Sequence, residues 1–139
     1  MSMKMSKDER ERFLADLHVG VLSIARDGCG PLTVPVWYDY TPDQGVWILT
    51  GPDSLKGRAL GAVDRISLCA QTETPPYQYV MVEGPFSLES PEEDMLLAMA
   101  QRYLGEEMGR QYAAGSQGDN VVVRFQPESW LTVDYGKAG

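Results

Sequence analysis

Hydrophobic and polar positions along the chain change period several times, and each change marks an element. Near the start, Phe13, Leu14 and Leu17 recur at helical spacing. Ser6 stands where a cap belongs, and Asp8 and Glu9 occupy the first turn, so Ser6 to Leu17 reads as a helix. The period then drops to two. Val19 to Ala25 reads as a strand, and "RDGCGP" as a hairpin turn in which Asp-Gly supplies the positive φ such turns need. "LTVPVWYDY" reads as the second strand, with Leu32, Val34, Val36, Tyr38 and Tyr40 on one face and Thr33, Pro35, Trp37 and Asp39 on the other. "TPDQG" turns the chain into a third strand, "VWILT".

A short helix follows from Leu55 to Ala62, capped by Asp53 or Ser54. "RISLCAQ" is the fourth strand, "TETPP" breaks it, and "YQYVMVEGPFSLE" is a long fifth strand with Val80, Val82, Phe86 and Leu88 on one side. In "SPEEDMLLAMAQRYL", Ser90 is the expected N-cap, Pro91 the first helical residue and Glu93 the closing member of a capping box. "GEEMGRQYAAGSQGD" reads as frayed helix and loop, and "NVVVRF" and "SWLTVDY" as the last strands. Most strands are joined by turns too short for a parallel crossover. The order β-β-β-α-β-β-α-β-β therefore predicts a mainly β fold, an antiparallel barrel carrying a few short helices. The 139 residues show no repeat or linker, so a single domain over 1–139 is expected.

Composition narrows the function. Hydrophobic content of 43% and charged content of 23% suit a soluble globular chain. No apolar run approaches the roughly 20 residues that cross a bilayer. "MSMKMSKDERERF" has no apolar signal core, so a cytoplasmic protein is expected. A net charge of −8 argues against nucleic acid and against anionic membrane as partners. It leaves room for a small anion, which needs only a local cationic pocket. One histidine (His18) and two scattered cysteines (Cys29 and Cys69) match neither a zinc pattern nor a histidine-based triad. His18 reads as structural, and the thiols as reduced.

Chemistry concentrates in "TGPDSLKGRAL", Thr50 to Leu60. It combines a hydroxyl, a helix start and two cations, Lys56 and Arg58, as an anion site does. A cation in a first helical turn is locally unfavourable, which can mark a site. Lys and Arg are more often plain surface residues, and spacing alone favours that reading. Pro35 interrupts a good strand, so that strand is an edge, carries a bulge, or runs beside a flat ligand. Trp37 shares the Pro35 face and is the aromatic most suited to a pocket. Tyr77 and Tyr79 either join that pocket or pack at a subunit contact.

The succession of "GVLSIARDGCGPLTVPVWYDY", "VWILTGPDSLKGRAL", "DRISLCAQ" and "YVMVEG" resembles the split β-barrel flavin-binding superfamily of pyridoxamine 5′-phosphate oxidase. Within it, the chain is most similar to the actinobacterial branch of flavin- or deazaflavin-dependent oxidoreductases, over roughly Arg12 to Val133. The resemblance implies an antiparallel, Greek-key split barrel that forms a homodimer, with the cofactor in a cleft at the interface and a small-molecule substrate beside it. It implies that Thr50, Ser54, Lys56 and Arg58 hold the cofactor phosphate, which raises the anion-site reading. It places the backbone of Val34, Pro35, Val36 and Trp37 along the isoalloxazine-type ring. Tyr79 falls where relatives using riboflavin phosphate often carry Gln, and Leu55 where they often carry a second cation. Both departures, and the ending "VDYGKAG", point away from ordinary pyridoxamine-phosphate oxidase. The expected cofactor is coenzyme F420, with riboflavin phosphate (FMN) as the alternative. The expected activity is hydride transfer to a small unsaturated or quinone-like substrate. A carrier that holds the cofactor or a tetrapyrrole without turnover is the competing class. No catalytic side chain stands out and no metal is expected. Arg26, Arg65 and Lys137 are candidate cations for a carboxylate-bearing cofactor tail.

Overall fold

Ser6 caps the first helix as its position suggests. Its hydroxyl accepts from the Glu9 N–H at 3.2 Å, and the Glu9 carboxylate accepts from the Ser6 N–H at 2.7 Å. That reciprocal pair satisfies two of the donors a helix start leaves unbonded. The computed structural model describes residues 2–116 and 118–138. Along these run α1 (Lys7–Ala15), β1 (Gly20–Ile24), β2 (Leu32–Val36), β3 (Asp39–Thr41), β4 (Gly45–Thr50) and α2 (Leu55–Leu60). They are followed by β5 (Arg65–Gln71), β6 (Gln78–Glu89), α3 (Met95–Leu104), α4 (Glu106–Gly115), β7 (Val121–Phe125) and β8 (Ser129–Asp134).

All strand pairings are antiparallel, in the order β2-β1-β5-β6-β7-β4-β3, with β8 also on β6. β6 is the spine. Its first part pairs with β5 and β8, and its last four residues, Phe86 to Glu89, pair with β7. The sheet begins with β2 and ends with β3, which only Trp37 and Tyr38 separate in sequence. The sheet therefore curls until its two ends meet, giving a mainly β split barrel with Greek-key connections and four helices. Leu22, Ile48, Leu68, Val80, Val82 and Phe125 fill the interior.

The structure corrects the pattern reading in three places. "LTVPVWYDY" is two strands, not one. Alternation of burial continues through Tyr38 and Tyr40, but the ladder breaks at Trp37–Tyr38, where the barrel is split. The helix expected to start at Ser90 starts at Met95 instead. Its cap is Asp94, in the left-handed region at φ 68°, without a side-chain cap bond. Residues 91–94 are all exposed and offer nothing to bury, so the helix begins where its apolar face does. The segment expected to fray, 105–119, holds an ordered ten-residue helix, α4. It lies directly on α3: a Cβ at buried Gly109 would stand 2.6 Å from the Gln101 Cα. Packing against α3 offsets the cost of the glycine in a short helix whose other residues, Glu, Met, Arg, Gln and Ala, mostly favour helix.

Candidate functional site

The break between β2 and β3 leaves Tyr38 without sheet partners on its backbone, and α3 supplies them. The Tyr38 N–H donates to the Tyr103 hydroxyl at 3.0 Å, and Arg102 Nε donates to the Tyr38 carbonyl at 3.1 Å. The same guanidinium bonds the Ala15 and Asp16 carbonyls at the end of α1, each at 3.1 Å, and lies 3.4 Å from the Asp39 carboxylate. The Tyr103 hydroxyl also donates to the His18 carbonyl. The Tyr38 side chain is fully buried, and its hydroxyl donates to the Leu14 carbonyl at 2.7 Å. Burial pushes both phenols above their ordinary pKa, so they act as neutral hydrogen-bonding groups. His18 belongs to this framework. Its Nε2 is 3.1 Å from the Phe13 carbonyl, its ring stacks on Phe13 at 4.5 Å, and burial holds its pKa below the usual value.

Beside the plugged split lies a cleft of about 420 Å³, lined by Val19, Pro35, Val36, Trp37, Leu49, Lys56, Leu96, Met99, Tyr112 and Asn120. Its size is that of a small-molecule site, for which roughly 300–1,000 Å³ is usual. Pro35 sits on the terminal strand of the sheet, where a missing N–H costs no ladder bond. Trp37 is parallel to Tyr103, at 5.1 Å and 7°, and tilted 53° from Tyr112 at 5.3 Å. The polar side-chain groups on the wall are the Lys56 ammonium, the Trp37 indole N–H, the Tyr112 hydroxyl and the Asn120 amide. Among the described residues no carboxylate lines the cleft. The wall thus offers mainly donors, and suits a ligand whose polar groups are acceptors, such as phosphate or carbonyl oxygens. A second cavity of about 500 Å³ shares Leu49, Leu96 and Asn120 with the first and is edged by Glu92, Asp94 and Asp119. The combined space is cationic at one end and acidic at the other.

Four of the residues suggested by the sequence, Pro35, Val36, Trp37 and Lys56, meet on this wall. Val34 packs against the core. Thr50 is buried, and its Oγ1 lies 3.3 Å from Ser54 Oγ. The Ser54 hydroxyl caps α2, accepting from the Gly57 N–H at 3.1 Å and donating to the Gly51 carbonyl at 2.7 Å. A Cβ at Gly57 would come within 2.5 Å of the Pro52 carbonyl oxygen, so this loop closes tightly over the start of α2. Thr50 and Ser54 therefore shape the loop that carries Lys56. Leu55 and Arg58 are exposed outside the lining set. Tyr79 is on β6, paired with Gln71 and Val133, also outside it. Arg26 donates to the Gly30 carbonyl, Arg65 is held by Glu83 and Glu128, and Lys137 by Glu9; none of the three is in the lining set. The pairing with Lys137 and Ser6 lowers the Glu9 pKa to about 2. Pattern reading missed Leu96, Met99, Tyr112 and Asn120, because α3, α4 and the following loop carry no local motif.

Among the described residues no helix is long and apolar enough to cross a membrane, and no cluster of side chains is arranged to hold a metal ion. No curated protein sequence matches the chain. Solved structures do. The conserved hypothetical protein Rv2991 from Mycobacterium tuberculosis superposes with a TM-score of 0.79 at 21% identity, over 99% of this chain and 90% of that one. A structure described as an F420 reductase has a TM-score of 0.70 at 18% identity, over 87% and 94% of the two chains. HutZ, the heme storage protein from Vibrio cholerae, has a TM-score of 0.67 at 15% identity, over 96% of each. At these identities the likeness is one of fold. The family model for pyridoxamine 5′-phosphate oxidase matches residues 6–134, which takes in the barrel and the whole lining of the cleft, and by that match the chain belongs to the pyridoxamine 5′-phosphate oxidase family.

Proposed function

We propose that the cleft binds a flavin-type cofactor, specifically the deazaflavin coenzyme F420, and that the protein is an oxidoreductase acting on a small unsaturated or quinone-like substrate. The observation that carries this is the wall itself: one cation among apolar and aromatic residues, with no carboxylate among the described residues, on the proline-bearing edge of β2. Such a wall fits a flat ring that ends in a phosphate. Lys56 would hold the phosphate, on the loop that Thr50 and Ser54 brace, with Arg58 and Leu55 on its solvent side. The backbone of Val34 to Trp37 would lie along the ring, and Met99 and Leu96 would exclude water from it. When bound and reduced, the cofactor supplies the hydride, and the chain's own part is placement and electrostatics. The acidic edge of the adjoining cavity disfavours a carboxylate-bearing tail there and directs it to the Lys56 and Arg58 side.

A homodimer is part of the same proposal. On the sheet face turned away from the core, Pro35, Val21, Cys69, Met81 and Leu131 stand opposite one another across five strands. Tyr79 and Val133 add a second apolar pair beside them. Leu131 is 51% exposed. A contiguous apolar face of this kind marks an interface, and Pro35 belongs both to it and to the cleft. The cofactor site would then border the subunit contact, with Tyr79 on the contact side.

Titrating the purified apoprotein with F420 and with FMN, followed by ligand and tryptophan fluorescence, tests the reading. Tighter binding of F420 is the expected result. Preference for FMN would assign the same cleft to the flavin alternative. Binding of haem with neither flavin type would make the protein a tetrapyrrole carrier and end the proposal.

A further inference from the structure

The α3–α4 hairpin gives the cleft wall Leu96, Met99 and Tyr112, and the last of these differs in kind from the rest. Among the lining side chains only Tyr112 carries a hydroxyl. Its position is fixed by packing. Gly109, one turn earlier on the same helix face, lets α4 approach α3 until no side chain fits between them. Tyr112 is thereby carried over Trp37, with ring centroids 5.3 Å apart. Trp37 is itself held parallel to Tyr103, whose hydroxyl is tied to the backbone of Tyr38 and His18. Trp37, packed between Tyr103 and Tyr112, is thus placed by the protein's own contacts and not by a ligand. Tyr112 lines the cleft and remains 48% exposed, so its side chain borders both the cleft and water. The lysine on this wall is assigned to phosphate, so a neutral donor is left for the acceptor.

We propose that Tyr112 determines acceptor specificity by donating a hydrogen bond to the carbonyl oxygen of a flat, uncharged, conjugated carbonyl compound held at the Trp37–Tyr112 wall. This rests on reading the cleft as a site of hydride transfer from a reduced deazaflavin or flavin. The acceptor gains a hydride at the far carbon of its conjugated system, and the displaced electron pair moves to the carbonyl oxygen. That oxygen takes one proton, delivered from water through the Tyr112 hydroxyl, so the acceptor gains two electrons and the cofactor loses two. A hydrogen bond to an oxygen that becomes negative strengthens as the reaction proceeds. Anionic acceptors are disfavoured by the acidic edge next door.

The test compares wild type with Tyr112→Phe, which keeps the ring and its packing. Menadione, a flat neutral quinone, is the acceptor probe. Its binding is read by tryptophan quenching in protein without cofactor and in protein loaded with oxidised cofactor; cofactor binding is read separately by cofactor fluorescence. Tyr112→Phe is expected to weaken menadione binding by about tenfold, the effect of one hydrogen bond at the upper end of its range, and to leave cofactor affinity within about twofold. Equal menadione binding by the two proteins overturns the proposal. So does a loss that falls on cofactor affinity alone, or a wild type that binds no menadione. The cofactor-free arm keeps the two readings apart. If wild type binds no F420 or FMN, the function proposed above fails, and the menadione comparison still decides whether Tyr112 contacts a carbonyl acceptor.

Discussion

Among the described residues Lys56 is the one ammonium on the cleft wall, and its surroundings bear on why it is there. A cation in the first turn of α2 opposes the helix dipole, so local energetics do not select it. The loop beneath it is closed by short bonds between Thr50, Ser54, Gly51 and Gly57, which use the available hydroxyls and leave charge as the remaining means of holding an anion. Lys56→Ala should weaken F420 binding by tenfold or more, about 1.4 kcal/mol, through loss of a charge-assisted contact. Fluorescence titration measures it, and unchanged affinity would return Lys56 to the surface. Arg58, exposed and outside the lining set, should matter less.

Among the elements, α4 and the start of α3 show what periodicity hides. "SPEED" satisfies every local rule for a helix start, yet no side chain in it has a surface to bury, and α3 waits for Met95. "GEEMGRQYAAG" breaks local rules with glycine and still forms a helix, because its middle glycine is what permits contact with α3. Gly109→Ala should therefore destabilise the protein by about 1–3 kcal/mol, the cost of overpacking against backbone, although alanine favours helix. Denaturant unfolding measures this, and a stabilised variant would show that the hairpin is not tightly seated. The barrel was legible because strand alternation and turn residues are local. The Lys56 loop and the Pro35 edge stood out in the sequence because a breaker and a cation interrupt apolar runs, and both line the cleft. Tyr103 and Tyr112 lie 66 and 75 residues beyond Trp37 and meet it through a helix hairpin whose packing no local pattern encodes.

For the whole molecule, the apolar row across β2, β1, β5, β6 and β8 is the surface on which the proposed dimer rests. Met81 stands in it between Cys69 and Leu131. Met81→Glu should convert a dimer to monomers, measured by sedimentation velocity, and should weaken cofactor binding as well, because Pro35 joins the row to the cleft. A variant that stays dimeric would move the interface elsewhere. The same topology settles a different matter. A sheet end with a full row of free N–H groups invites pairing with the next chain, and long-lived aggregates begin that way. Here β2, at one end of the path, carries Pro35 as the fourth of its five residues, and β3, at the other, is three residues long, while α3 occupies the gap between them. The proline that lines the cleft also blunts the β2 edge of the barrel, so that edge is not a place where chains add to one another strand by strand.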